Sequence, residues 1–391
     1  MPPPGAGPLE GTSVLDLSSV GPASRATRLL ADYGARVVKI APPPGRAAAL
    51  PVPPFYAYGA RRGMQRALIG LDDPEGLEAF MALASRSDVV VESFRPGTAD
   101  RLGIGYEAVR ALNPGVVYCS TSGYGRRGPR SGWAGHDLDY LAVGGYLAMT
   151  EPAAGGSPPL PGATIADAAA GGMQAALAIT AALLRRAATG EGTLLDVSVA
   201  GGVLWLMSLA VDEHLATGTS PAPGHDVLSG RYACYGTYRA ADDRWLAVAA
   251  IEPKFFANLC RALDCEGWLD RQYDDEAQGE LRKALSDAFA RRDRDTWVSR
   301  LAGADTCVAP VQSVDELATD EQFAFSGSFV EAKSDRHGSF RQVGAVLAGM
   351  ERPAEPVEVP DEESTDTEDL LAAVGYERSR LAELKARGVL A

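Results

Sequence analysis

The sequence predicts an α/β protein built as two units. Three observations carry this: apolar strands alternate with helices through the first half, 391 residues exceed what one core organises, and a Pro/Gly-rich linker interrupts the pattern at 218–224. Hydrophobic residues make up 46% and charged residues 23%, ordinary globular usage, so neither unit lacks material for a core.

Val14-Leu15-Asp16-Leu17 reads as a buried strand, 22–33 as a helix with proline at its first position, and 36–40 as a second strand, which together make a βαβ unit. Gly34 stands where a helix-ending glycine belongs, and Pro42-Pro43-Pro44-Gly45 stops the second strand. A helix at 74–84 leads into Asp88-Val89-Val90-Val91, and Leu112-Asn113-Pro114-Gly115 introduces the strand 116–119. Strands this apolar belong to a parallel sheet covered on both faces. A small-residue helix at 168–189 ends at Gly190 and precedes a strand at 194–197.

The large unit is thus predicted over 1–217, and the linker with a small α/β unit over 218–330. The second unit carries strands at 235–238 and 245–250 and helices at 254–263 and 280–290. A C-terminal segment, 331–391, holds an acidic, proline-rich connector at 353–367 and helices at 368–373 and 377–387.

A formal charge of −14 argues against a nucleic-acid partner, so an anionic ligand needs a local basic pocket. The five cysteines are odd in number and show no metal-ligand spacing, which suits a reducing, cytoplasmic setting. No secretory leader is expected from the opening residues, and the apolar runs at 175–184 and 199–211 are too short to cross a membrane. The first βα turn, Ser18-Ser19-Val20-Gly21-Pro22, lacks G-x-G-x-x-G, which speaks against nicotinamide and flavin. The P-loop, zinc-protease and serine-hydrolase signatures are missing as well, so no metal or separate cofactor is expected.

Three residues carry candidate chemistry. His136, in Trp133-Ala134-Gly135-His136-Asp137, is either an acid/base group or a local helix cap. Asp167 precedes the predicted helix, where it would act as an N-cap or sit beside free N–H groups able to stabilise an oxyanion. Glu252 ends a strand just before Pro253, a place for a functional side chain or for a solvated helix-start acid. His214, His225 and His337 fall in surface or linker contexts. Residue patterns alone stop at an α/β enzyme.

Ordered motifs go further. They include Leu29-Leu30-Ala31-Asp32-Tyr33-Gly34-Ala35-Arg36-Val37-Val38-Lys39-Ile40, Val91-Glu92-Ser93-Phe94-Arg95-Pro96-Gly97, Ser120-Thr121-Ser122-Gly123-Tyr124-Gly125 and Thr189-Gly190-Glu191-Gly192. In this series the chain resembles the family III CoA-transferase superfamily, and within it the branch of 2-methylacyl-CoA racemases. The resemblance implies a Rossmann-like large domain, a smaller α/β domain and a homodimer of interlocked rings, with the C-terminal segment returning to the large domain. It implies an acyl-CoA thioester substrate, whose coenzyme A is held near Lys39, Arg62 and Arg95. Arg61-Arg62-Gly63-Met64 departs from the family's Asn-Arg-Gly-Lys, leaving Arg61 to compensate for the lysine.

The resemblance also implies roles. His136 and the run Val248-Ala249-Ala250-Ile251-Glu252-Pro253-Lys254-Phe255-Phe256 resemble the racemases, in which the glutamate pairs with the histidine; Asp167 is then the second base. Ala163 and Ala168, where racemases carry Asn and Phe, match the CoA transferases, in which the aspartate forms an aspartyl-CoA intermediate. A third reading is a degenerate acyl-CoA binding protein.

Overall fold

The computed structural model describes residues 7–45, 61–153, 156–345, 356–360 and 364–391. The chain divides into two compact units, one comprising Met1–Tyr146, Leu160–Leu209 and Gln322–Ala391, the other Leu147–Pro159 and Ala210–Glu321. The stretch 218–224 lies within the second.

The first unit is mixed α/β around a parallel sheet of β1 (Ser13–Asp16), β2 (Arg36–Ala41), β3 (Gln65–Leu68), β4 (Val89–Glu92), β5 (Val117–Ser122) and β6 (Thr193–Ser198). Their order is β3-β2-β1-β4-β5-β6 with every neighbour parallel. The helices that bear on the site are α1 (Gly21–Asp32), α2 (Pro74–Ala84), α3 (Asp137–Val143) and α4 (Gln174–Thr189).

Strand periodicity explains why these runs are apolar throughout. Val14, Val37, Val89, Val91, Val117 and Cys119 pack on one face against Ala23, Ala26 and Leu30 of α1 and Ala175, Ile179 and Ala182 of α4. Their sequence neighbours Leu15, Val38, Val90 and Tyr118 pack on the other face against Phe80 and Leu83 of α2. Each buried Val, Leu, Ile or Phe among them contributes roughly 1.5–3 kcal/mol. The capping is local: the Asp73 carboxylate accepts the Glu75 N–H at 2.9 Å at the start of α2, and Gly34 follows α1 at φ +95°.

The C-terminal helices Thr367–Ala372 and Arg378–Ala386 add Leu370, Leu371, Leu381 and Leu384 to that second core. This segment also covers the sheet edge at β3. Arg66 N–H donates to the Asp366 carboxylate at 2.9 Å, Asp366 N–H returns to Arg66 O at 2.7 Å, and Gly70 N–H donates to Val389 O at 2.9 Å. An uncovered edge would invite pairing with other chains. Sequence reasoning missed β3 because Gln-Arg-Ala-Leu has no apolar run.

Two further expectations are corrected. Of the connector, 353–355 and 361–363 lie outside the described residues, while Val357–Glu358 (β12) pairs in parallel with β10 (Phe329–Ser334), which forms a hairpin with β11 (Gly338–Val343). The helix expected at 168–189 starts at Ala166, and its first part, Ala166–Met173, is π-helical. Ala166–Thr189 spans 24 residues and contains an 18-residue window of mean hydropathy 1.3, long and apolar enough to cross a membrane by length and composition, against the shorter run read from sequence. Its Ala170, Gly171 and Gly172 are buried, and the glycines allow contact with α1: a Cβ at Gly171 would lie 2.5 Å from Pro22 Cβ, and one at Gly172 2.6 Å from Arg25 Cβ.

The second unit holds an antiparallel sheet of β7 (Tyr235–Arg239), β8 (Trp245–Ala249) and β9 (Val308–Pro310). Its core joins Leu246 and Val248 to Phe256 and Leu259 of α5 (Pro253–Ala262) and to Leu281, Phe289 and Trp297.

Candidate active site

The strand order reverses direction between β1 and β4, and in open α/β sheets the crevice outside the carboxyl ends at such a switch point is where ligands bind. From those ends run the turn after β1 leading to α1, the segment Ser93–Gly97 after β4, and the Gly123–Gly135 stretch between β5 and α3.

Asp167 lies beside the amino end of α1, since a Cβ at Gly21 would stand 3.9 Å from its Oδ2. It is the second residue of the π-helical turn and not its N-cap, which corrects the sequence expectation. Its own N–H donates to Asp137 Oδ1 at 2.8 Å, and Ala168 N–H donates to Thr164 O at 2.9 Å. The helix start at Asp167 therefore has these two amides already engaged. Burial first, and then the Asp137 carboxylate, push the Asp167 carboxyl up to about 6, against the pull of Arg25 and His136. A half-buried carboxyl exchanging its proton near neutrality is suited to acid/base work.

His136 is the N-cap residue of α3, in extended conformation, and is exposed. Its backbone N–H donates to Asp139 Oδ2 at 2.9 Å and its carbonyl accepts the Asp139 N–H at 2.9 Å, so His136 and Asp139 cap the start of α3 together. Tyr140 lies beneath this segment and donates its hydroxyl to Gly135 O. Burial, then the charge of Asp167, push that phenol up to about 12, so it stays neutral. Tyr140 packs edge-on to Tyr124 at 5.4 Å, and Tyr124 edge-on to Trp133 at 5.8 Å. Two glycines make room for these rings: a Cβ at Gly123 would lie 2.3 Å from the Tyr140 ring, and one at Gly135 2.8 Å from it and from the Tyr124 hydroxyl.

The cations expected at the coenzyme divide into two kinds. Lys39 is 7% exposed and its ammonium reaches Asp16 Oδ2 at 2.7 Å and the hydroxyls of Ser18 and Ser24 at 3.3 Å each. Asp16 is fully buried and also accepts from the Ser18 N–H at 2.7 Å, the Ser18 hydroxyl at 2.6 Å and the Thr27 hydroxyl. Arg62 is likewise buried, donating to Val343 O at 2.8 Å and Asp32 Oδ1 at 3.1 Å, while Arg61 donates to Pro360 O at 2.7 Å. These groups hold the first βα turn and the returning C-terminal segment. Arg95, after β4, presents an exposed side chain.

Glu252, in the second unit, is the exposed N-cap residue of α5, and it makes no side-chain capping bond. Sequence reasoning assigned no role to Asp137, Tyr140 or Arg25. Asp137 was visible as the last residue of the Gly135-His136-Asp137 run, but its partner is 30 positions away.

The family model described as CoA-transferase family III matches residues 9–361. The chain is similar to alpha-methylacyl-CoA racemase of Homo sapiens, 32% identical over 385 residues that cover 98% of this chain and 97% of that protein. It is also similar to succinyl-CoA:glutarate CoA-transferase of Homo sapiens, 28% identical over 397 residues covering 98% and 90%. Among solved structures, a CAIB/BAIF family protein from Brucella suis shares the fold with a TM-score of 0.76 and 24% identity, over 94% of this chain and 98% of that one.

Proposed function

Because the chain belongs to CoA-transferase family III, we propose that it is a racemase or epimerase of 2-methyl-branched acyl-CoA thioesters, with His136 and Asp167 as its two proton-exchanging groups. The observation that carries this reading is the Asp167 carboxyl, raised to about 6 by burial and Asp137 in a site that also holds His136. A nucleophilic carboxylate must stay ionised, whereas a base that returns its proton works best when its pKa lies near the working pH.

One group removes the α-proton, leaving a planar enolate, and the other delivers a proton to the opposite face. With the Asp167 amide engaged, the amino end of α1 at Gly21 is the better source of N–H groups and positive dipole for the enolate oxygen. Arg95 is the exposed cation for coenzyme A, whose phosphates would be steered to the carboxyl ends of a Rossmann-like sheet. No separate cofactor enters these steps.

A homodimer fits the apolar side chains left exposed in the first unit, among them Leu177, Leu184, Leu204 and Trp205 at 51–76%. The five unpaired cysteines, four of them buried, suit a reducing cytoplasm.

The second reading, transfer of CoA between carboxylic acids, draws on Ala163 and Ala168 and on the similarity to succinyl-CoA:glutarate CoA-transferase. There Asp167 attacks the thioester and expels CoA, and the thiolate attacks the resulting anhydride at the aspartyl carbon and releases the acid; the acceptor carboxylate then attacks the aspartyl thioester and expels CoA, and the thiolate opens this second anhydride at the acceptor carbon, freeing Asp167. Incubating a single-enantiomer 2-methylacyl-CoA with the enzyme in deuterated water, without acceptor acid, separates the two by proton NMR. Deuterium entering Cα supports the racemase; conversion of Asp167 to its hydroxamate by hydroxylamine, with release of CoA and without exchange, supports the transferase.

A further inference from the structure

The segment from Gly125 to Gly135 holds Arg126, Arg127 and Arg130 and no acidic residue, in a chain whose formal charge is −14. It leaves the carboxyl end of β5 and ends at His136. Arg126 is engaged, with its guanidinium 3.6 Å from Asp100 and its N–H on the Asp196 carboxylate at 3.2 Å. Arg127 and Arg130 are exposed, and neither forms an ion pair among the described residues. The backbone that carries them is tied down: Ser131 donates its N–H and its hydroxyl to Gly128 O at 3.2 and 2.9 Å, and Trp133 N–H donates to Arg130 O at 2.9 Å.

The Arg130 guanidinium stands over the Trp133 ring, 5.3 Å from its centroid, and Trp133 is 54% exposed. Trp133 rests edge-on against Tyr124, three residues before His136. The order along this segment is thus a proton-exchanging group, an exposed aromatic residue and two cations without an ion-pair partner among the described residues. A plain hydrocarbon chain would satisfy the ring and leave both charges unused. We propose that Arg127, Arg130 and Trp133 select acyl groups whose far end carries a carboxylate, so that the preferred substrate is a 2-methyl dicarboxylic acid bound as its mono-CoA thioester.

This deepens the racemase reading and rests on it for the placement of the acyl group near His136. Because the backbone that carries them is hydrogen-bonded and Arg130 already lies over Trp133, less ordering opposes the contact than on a loose loop. A charge-assisted bond of this kind is worth about tenfold in affinity.

The test uses coenzyme A thioethers, which cannot react, carrying 2-methyl chains of matched length that end in a methyl group or a carboxylate. Calorimetric titration of the full-length enzyme should show about tenfold tighter binding of the carboxylate series. Arg127→Ala/Arg130→Ala should erase that preference and leave the methyl series unchanged, and Arg130→Glu should reverse it. Equal affinity for the two series in the wild type would overturn the proposal. So would equal weakening of both series in the double variant, since the arginines would then hold the coenzyme's own phosphates. Titration reads binding alone, so failure of α-proton exchange would count against the racemase reading and not alter this result.

Discussion

The carboxylate of Asp137 accepts the backbone N–H of Asp167 at 2.8 Å, and its charge opposes ionisation of the Asp167 side chain. Asp137→Asn keeps an oxygen for that N–H and removes the charge. Asp167 must be ionised to take a proton, so exchange at the enantiomer it serves should rise with pH through about 6 in the wild type. In Asp137→Asn the rise should move to lower pH, as read from kcat/KM for exchange against pH. An unmoved limb would mean that the coupling is not electrostatic.

The same shift makes a stability prediction. A carboxyl whose pKa is higher folded than unfolded binds its proton more tightly in the folded state. Its favourable contribution is complete below the unfolded value of about 3.9 and is lost as pH rises through the folded value. That folded value is about 6. Above it, ionised Asp167 is a standing cost, so Asp167→Asn should melt roughly one to a few degrees higher than wild type at pH 8. The gain should vanish near pH 4. A gain that is independent of pH would contradict the assignment.

Lys39 and Asp16 form a buried pair at 2.7 Å, with side-chain exposures of 8% and 0%. Removing the ammonium alone would leave Asp16 buried without its counter-charge. Lys39→Met should therefore cost roughly 3–5 kcal/mol in urea denaturation. If Lys39 acted chiefly on coenzyme phosphate, the variant would raise KM and leave the denaturation midpoint in place.

Gly123 has no room for a side chain, because its Cβ would fall 2.3 Å from the Tyr140 ring, whereas nothing lies within 4 Å of a Cβ at Gly132. Gly123→Ala should cost roughly 1–3 kcal/mol and depress turnover by moving Tyr140 and the start of α3, while Gly132→Ala should leave both close to wild type. Equal behaviour of the two variants in denaturation and turnover would remove Tyr140 from the account.

The parallel sheet was legible because strands buried on both faces must be apolar at every position, as Val89-Val90-Val91 is. β3 was not, since a four-residue edge strand owes its place to β2 and to the returning C-terminus more than to its own pattern. At the site, residue type and motif marked His136 and Asp167. Asp137 escaped because its effect on Asp167 exists only once folding closes a 30-residue separation. Lys39 and Arg62 were read as phosphate contacts from the family resemblance, and nothing local in the sequence announces Asp16 or Asp32 as the partner. The π-helical turn was invisible for a similar reason. The pair Gly171-Gly172 marks close packing, but only the contact with α1 says what packs there.

The central claim is that Asp167 and His136 serve opposite faces of one enolate, and exchange followed separately for each enantiomer tests it most directly. Each enantiomer of a 2-methylacyl-CoA would be incubated in deuterated water with wild type, Asp167→Ala and His136→Ala, with deuterium at Cα and configuration read together. The account predicts inversion with deuterium uptake in the wild type and no inversion in either variant. Each variant should keep at most slow exchange, with retained configuration, on one enantiomer, and the two variants should keep opposite ones. Full inversion by His136→Ala, or no deuterium at Cα in the wild type across several branched thioesters, would contradict it.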